Sequence, residues 1–141
     1  MNKIPLTILI LLIVSGVIFS GCTSGGTSID LTGTSWKLVS YGPVGKQTPA
    51  AAGIQTSLDF GKDGRVSGNM GCNSFGGNYE VRGGNIIFSQ IVSTMMACQG
   101  PQMDQEGAVL KVMNGTARFQ LAGNTLTIYA SSGDNAITLS R

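Results

Sequence analysis

Apolar residues are arranged in two different ways along the chain. Between positions 4 and 19 nearly every residue is apolar, with no alternation. From Ser35 onward, short segments carry an apolar residue at every second position and are separated by clusters of Gly, Asn and Asp. A period of two marks a strand with one buried face. Residues 35–41, 57–60, 65–68, 77–81, 86–88, 117–121, 125–129 and 136–139 therefore read as strands. Gly61-Lys62-Asp63-Gly64 and Arg82-Gly83-Gly84-Asn85 join neighbouring runs, and such residues accept the positive φ of tight hairpin turns. Ala122-Gly123-Asn124 and Ser132-Gly133-Asp134-Asn135 punctuate the last three runs in the same way. Residues 89–96 lack the pattern and read as a connection.

One segment changes period. In residues 101–113, Met103, Val109, Leu110 and Met113 fall on one stripe at 3.6 residues per turn, which predicts a helix. Pro101 suits its first position, Asp104 and Glu106 lie near the positive end of its dipole, and Asn114-Gly115 supplies a stop. Gly107 inside that helix costs about 1 kcal/mol relative to Ala, so a close approach to the sheet is expected there. Roughly seven to nine short antiparallel strands with one helix predict a mainly β, α+β domain. Its architecture is expected to be a strongly curved sheet or a small barrel, with the helix packed on it over an open side or end.

The apolar segment at positions 4–19 has the length of a signal-peptide core and is short for a spanning helix, which needs about 20 apolar residues. It ends at Phe19-Ser20-Gly21-Cys22, which resembles a lipoprotein box: an apolar residue, two small ones, and the cysteine that receives lipid. Small residues are needed because the processing peptidase must reach the peptide bond before Cys22. The polar stretch Thr23-Ser24-Gly25-Gly26-Thr27-Ser28 then reads as a flexible tether. The expected organisation is a lipoprotein-type signal at 1–21, a lipidated Cys22 with its tether at 22–31, and one domain at 32–141. An uncleaved membrane anchor and ordinary secretion with cleavage elsewhere are the alternatives, and both also place the domain outside the cytoplasm.

Composition removes several function classes. The chain of 141 residues has no His, which excludes Ser-His-Asp triads, Cys-His dyads, HExxH zinc sites and imidazole proton shuttles. A net charge of +2 with 11% charged residues leaves no electrostatic footprint for nucleic acid.

A wider resemblance lies in the middle of the chain. Phe60 followed by Gly64-Arg65-Val66-Ser67-Gly68-Asn69-Met70-Gly71-Cys72-Asn73-Ser74-Phe75-Gly76-Gly77-Asn78-Tyr79 resembles the signature of the META (HslJ-like) domain family. Gly84-Asn85-Ile86-Ile87-Phe88, Thr94-Met95-Met96-Ala97-Cys98, Met103 and Glu106 continue it. The entry run Gly33-Thr34-Ser35-Trp36-Lys37-Leu38 and the late run Phe119-Gln120-Leu121-Ala122-Gly123-Asn124-Thr125-Leu126-Thr127 also fit. The resemblance implies a β-rich fold, a paired cysteine thought to be a disulfide, and no common cofactor or shared catalytic mechanism. Relatives are commonly exported or lipid-anchored, and some are linked to heat or envelope stress, motility or virulence. Gly71, Asn73, Gly77, Tyr79, Thr94, Met96 and Glu106 occupy motif positions, for which a structural role is expected.

Setting Cys22 aside for lipid leaves Cys72 and Cys98 as an even pair, and thiols outside the cytoplasm oxidise when close. A structural disulfide between them would contribute roughly 3–4 kcal/mol on the chain-entropy model. Redox-active thiols or a metal site are the alternatives, although no CxxC spacing is present. Met70, Met95, Met96 and Met103 could offer soft ligands to Cu(I), but thioethers also fill irregular gaps between helix and sheet. No metal and no cofactor are expected. Glu106 lacks a partner carboxylate on its own helix face and is expected to accept hydrogen bonds from loop N–H groups around Gly71-Cys72-Asn73. The expected function is a non-enzymatic, membrane-anchored lipoprotein of the cell envelope or surface that binds a protein partner or ligand. The alternative is an enzyme using carboxylate or Cys side chains. A barrel filled by its own side chains favours protein contact, and an apolar pocket lined by strands favours a small ligand.

Overall fold

The computed structural model describes residues 29–141. The expected signal, Cys22 and the tether as far as Ser28 lie outside the described residues. Nine strands and one helix follow in the order β1 (Thr34–Pro43), β2 (Thr48–Pro49), β3 (Ser57–Phe60), β4 (Arg65–Asn69), β5 (Ser74–Arg82), β6 (Asn85–Ser93), α1 (Pro101–Val112), β7 (Thr116–Ala122), β8 (Thr125–Tyr129) and β9 (Asn135–Ser140). From β3 onward each strand pairs antiparallel with the next, and β1 pairs with β3 through Thr34–Trp36 and with β9 through Lys37–Pro43. The sheet therefore closes into an up-and-down barrel of eight strands. The two-residue β2 is a flap on β1, paired through Ser40 and Tyr41.

Alternation places one side chain in every two inside. Trp36, Leu58, Phe60, Val66, Ile86, Ala117, Leu126, Ile128, Ile137 and Leu139 are all at most 1% exposed and form one cluster. Eight strands enclose a space just wide enough for such side chains, so the interior is a packed core.

The two ends differ. At the first, the chain enters through Leu31, which is fully buried, and Thr34 N–H bonds back to the Leu31 carbonyl at 3.2 Å. The hairpin turns at Gly61–Gly64, 83–84 and 123–124 lie at this entry end, where the Arg141 guanidinium stacks 4.8 Å from the Trp36 ring. At the other end α1 touches β1 and β9 and sends Val109, Val112 and Met113 into the core.

Three expectations need correction. Residues 89–96 are not a plain connection, because β6 continues to Ser93 and β5 begins at Ser74. The alternation was hidden by a bulge in which Gln90, at φ 54°, is the extra residue opposite Gly77. Gly77 is required there: a Cβ on it would lie 2.5 Å from Ile91 Cδ1 and 2.9 Å from the Ser89 carbonyl oxygen. Second, the expected α1 stripe holds only in part: Val109 and Met113 are buried, but Leu110 is partly buried and Met103 exposed, and Gln105, Glu106 and Val112 share the buried face. Third, Gly107 makes no close approach, since a Cβ there would meet nothing within 4 Å. The tight glycine is Gly71 across the interface, whose Cβ would stand 2.2 Å from the Gln102 carbonyl oxygen.

Candidate functional site

Five of the motif positions converge at the helix end, where the β4–β5 loop, the segment after β6 and the first turns of α1 meet. The loop cannot continue a ladder, so its backbone N–H groups need other partners. Glu106 supplies them. Its Oε2 accepts the Cys72 N–H at 2.8 Å and the Asn73 N–H at 2.5 Å, and its Oε1 accepts the Asn73 side-chain amide at 2.8 Å. Glu106 is 5% exposed and Asn73 3%. Hydrogen bonds to an ionised acceptor contribute about 1.5–3 kcal/mol each, so this carboxylate is a strong clamp on the loop.

Asn73 passes the connection on. Its Oδ1 accepts the Thr94 hydroxyl at 2.8 Å and the Met96 N–H at 2.7 Å, and its Nδ2 also donates to the Met96 carbonyl at 3.2 Å. The Cys72–Cys98 disulfide, with Cα atoms 5.9 Å apart and a sequence separation of 26, joins the same two segments. Gln105, fully buried, donates to the Met70 carbonyl at 2.6 Å and accepts the Ala51 N–H at 2.7 Å. Gly71 permits all of this by letting the loop backbone lie against the helix. No signal in the sequence distinguishes Gln105 from a solvated glutamine.

Of the motif positions, Gly71, Asn73, Thr94, Met96 and Glu106 thus form one network with the disulfide. Two do not join it. Gly77 serves the bulge, and Tyr79 lies toward the entry end, where its hydroxyl donates to the Gly61 carbonyl at 2.8 Å and its ring meets Phe60 edge-on at 4.8 Å. Met96 contributes through its backbone while its side chain is largely exposed, and Met70 is buried.

Both carboxylate oxygens of Glu106 face the loop, and every buried side-chain nitrogen or oxygen among the described residues has a partner. On exposed turns and hairpins, short-range hydrogen bonds displace the pKa of several charged groups. Asp30 is lowered by its bond with Thr32, Asp134 by Ser132, and Glu80 by Arg82, which is raised in turn. Glu80 and Arg82 form a two-pronged but exposed pair, a kind that adds little stability. Among the described residues no three His, Cys, Asp or Glu side chains gather as metal ligands. No helix among them is long and apolar enough to cross a membrane.

The fold has relatives. Residues 29–141 match the family model of the META domain. An NMR structure of a protein from Burkholderia xenovorans superposes with a TM-score of 0.66 at 24% identity, covering 79% of this chain and 83% of that one. A second NMR structure aligns with a TM-score of 0.61 at 23% identity over 77% of this chain and 88% of its own. The crystal structure of a DUF4847 family protein from Bacteroides vulgatus shares the fold with a TM-score of 0.53 at 12% identity, covering 77% and 92% of the two chains. No match is found among curated sequences. The family match spans the whole described region, and the chain belongs to the META domain family.

Proposed function

From its place among META-domain proteins, we propose that this chain is a non-enzymatic lipoprotein, held by lipid on Cys22 outside the cytoplasm, whose barrel presents a partner-binding surface away from the membrane. The observation that carries this reading is the polarity of the barrel. The chain enters at the end closed by Leu31, whereas the exposed apolar side chains Val92, Met95, Met96 and Met103 belong to the helix end. Strand β5 runs between these ends, and nine residues at about 3.3 Å each, tilted as barrel strands are, separate them by roughly 20–25 Å. Val92 is 70% exposed and Met95 98%, which water alone does not favour.

The packed interior supports protein contact over a ligand in a barrel lumen. The polar groups at the helix end support a structural role, because they are spent on one another. The test is co-purification of the full-length protein from detergent-solubilised membranes. Wild type and a Lys62→Glu variant at the entry end should recover the same discrete partner, and Val92→Asp with Met95→Asp should lose it. Reproducible hydrolase turnover abolished by Glu106→Gln, or recovery of the wild-type protein in the aqueous phase, would overturn the proposal.

A further inference from the structure

Strand β6 has neighbours on both sides only in its first half. Toward β7 the ladder ends at Ile87 opposite Thr116, followed by one more bond from the Phe88 N–H to the Gly115 carbonyl at 2.8 Å. From Ser89 to Ser93 the strand keeps β5 on one side, through Ser89, Val92 and Ser93, and has no strand on the other. An open edge is normally blunted by Lys or Pro or covered tightly by a helix. Here the edge carries Ser89, Gln90 and Ser93, and α1 stands off from it. The space between is a groove of about 520 Å³ with Phe88, Ile91 and Ser93 on the strand side and Gly107, Leu110 and Lys111 on the helix side.

Gly107 is the second observation. No turn, positive φ or close neighbour requires a glycine there, yet it costs the helix about 1 kcal/mol relative to Ala. What its missing side chain does provide is width, because the residue lines the groove and a smaller adjoining hollow beside Asn135.

We infer that this groove docks an extended peptide segment of a partner protein, which adds as a strand to the free edge of β6 and sets a carboxylate against Lys111. The inference rests on the partner-binding reading above and names the chemistry of the partner. Main-chain hydrogen bonds to the edge supply affinity, and the apolar floor of Phe88, Ile91 and Leu110 accepts an alternate side chain. Charge selects the occupant: Lys111 is the one charged residue lining the groove, it is exposed, and the ion pair among the described residues is elsewhere, between Arg82 and Glu80. The chain's own leading segment is a poor occupant. It enters at the opposite end, and with Cys22 in the membrane residues 23–28 reach only about 20 Å. A second copy is no better, since each copy's β6 edge lies behind its own α1.

The experiment pans full-length protein in detergent micelles against a phage-displayed library of random nonapeptides and resynthesises the enriched sequences. Enriched peptides should carry an acidic position and slow amide hydrogen exchange within residues 89–93. Gly107→Leu, which narrows the groove without touching the core, should weaken them at least tenfold, and Lys111→Glu about tenfold, with unchanged circular dichroism. Absence of enrichment, protection at another surface, or undiminished binding by Gly107→Leu would overturn the inference. None of these results decides the broader reading, which stands or falls on the membrane co-purification.

Discussion

Replacing Glu106 by alanine removes one acceptor group from three donors at once: the Cys72 and Asn73 N–H groups and the Asn73 side-chain amide. None of these can turn to water, because Asn73 is 3% and Cys72 8% exposed. A buried donor left without a partner costs about 1–3 kcal/mol, and the disulfide and the remaining Asn73 bonds keep the loop from relaxing freely. The expected loss is therefore about 3–5 kcal/mol, which lowers Tm by roughly 10–20 °C in a domain of this size. Glu106→Gln tests the geometry more finely. With its oxygen toward the two backbone N–H groups, its own NH2 must face the Asn73 amide. Asn73 cannot flip in response, since its Oδ1 already accepts Thr94 and Met96. One donor–donor contact should cost about 1–2 kcal/mol. Urea titration should thus rank wild type above Gln above Ala, and amide exchange at Cys72 and Asn73 should quicken in the same order. A loss below about 0.5 kcal/mol for Glu106→Ala would refute the assignment of Glu106 as the loop clamp.

Other consequences follow from the same contacts. Cys72→Ala with Cys98→Ala should cost about 3–4 kcal/mol by freeing the 26-residue loop, read as a lower urea midpoint that reductant reproduces in wild type. Gly71→Ala should destabilise by about 2–4 kcal/mol because its Cβ meets the Gln102 carbonyl, whereas Gly107→Ala should stabilise by about 0.5–1 kcal/mol. Opposite signs in paired thermal melts are the test, and equal signs would contradict the packing described for α1. Cys22→Ala should shift the protein out of the detergent phase, and unchanged partitioning would favour an uncleaved membrane helix.

Most of the barrel is legible in the chain because local and long-range preferences agree. Asp63-Gly64 and Gly83-Gly84 mark hairpins whose flanking residues alternate cleanly, and the structure places β3–β4 and β5–β6 there. Pro101 and Asn114-Gly115 bracket α1 for equally local reasons. Two features were less accessible. The first half of β5 and the second half of β6 are joined across a bulge, so Gly76, Gly77 and Gln90 break the period that would reveal them. The packed face of α1 carries Gln105 and Glu106, whose burial is explained only by loop donors 33 to 54 positions away in sequence. The expectation that Glu106 serves N–H groups near Gly71-Cys72-Asn73 came from its motif position, and the geometry places it there. Closure of β1 on β9 is a contact between chain ends that no local pattern encodes.

The central claim is that a partner is gripped at the helix end, across the barrel from the tether. Site-specific photocrosslinking in intact cells addresses it directly, with the crosslinking residue at Ser93 beside the groove or at Asn124 on an entry-end turn, both exposed. The account predicts a discrete adduct from Ser93, lost in the Gly107→Leu background, and none from Asn124. Equal adducts from both positions, or none from Ser93, would contradict it.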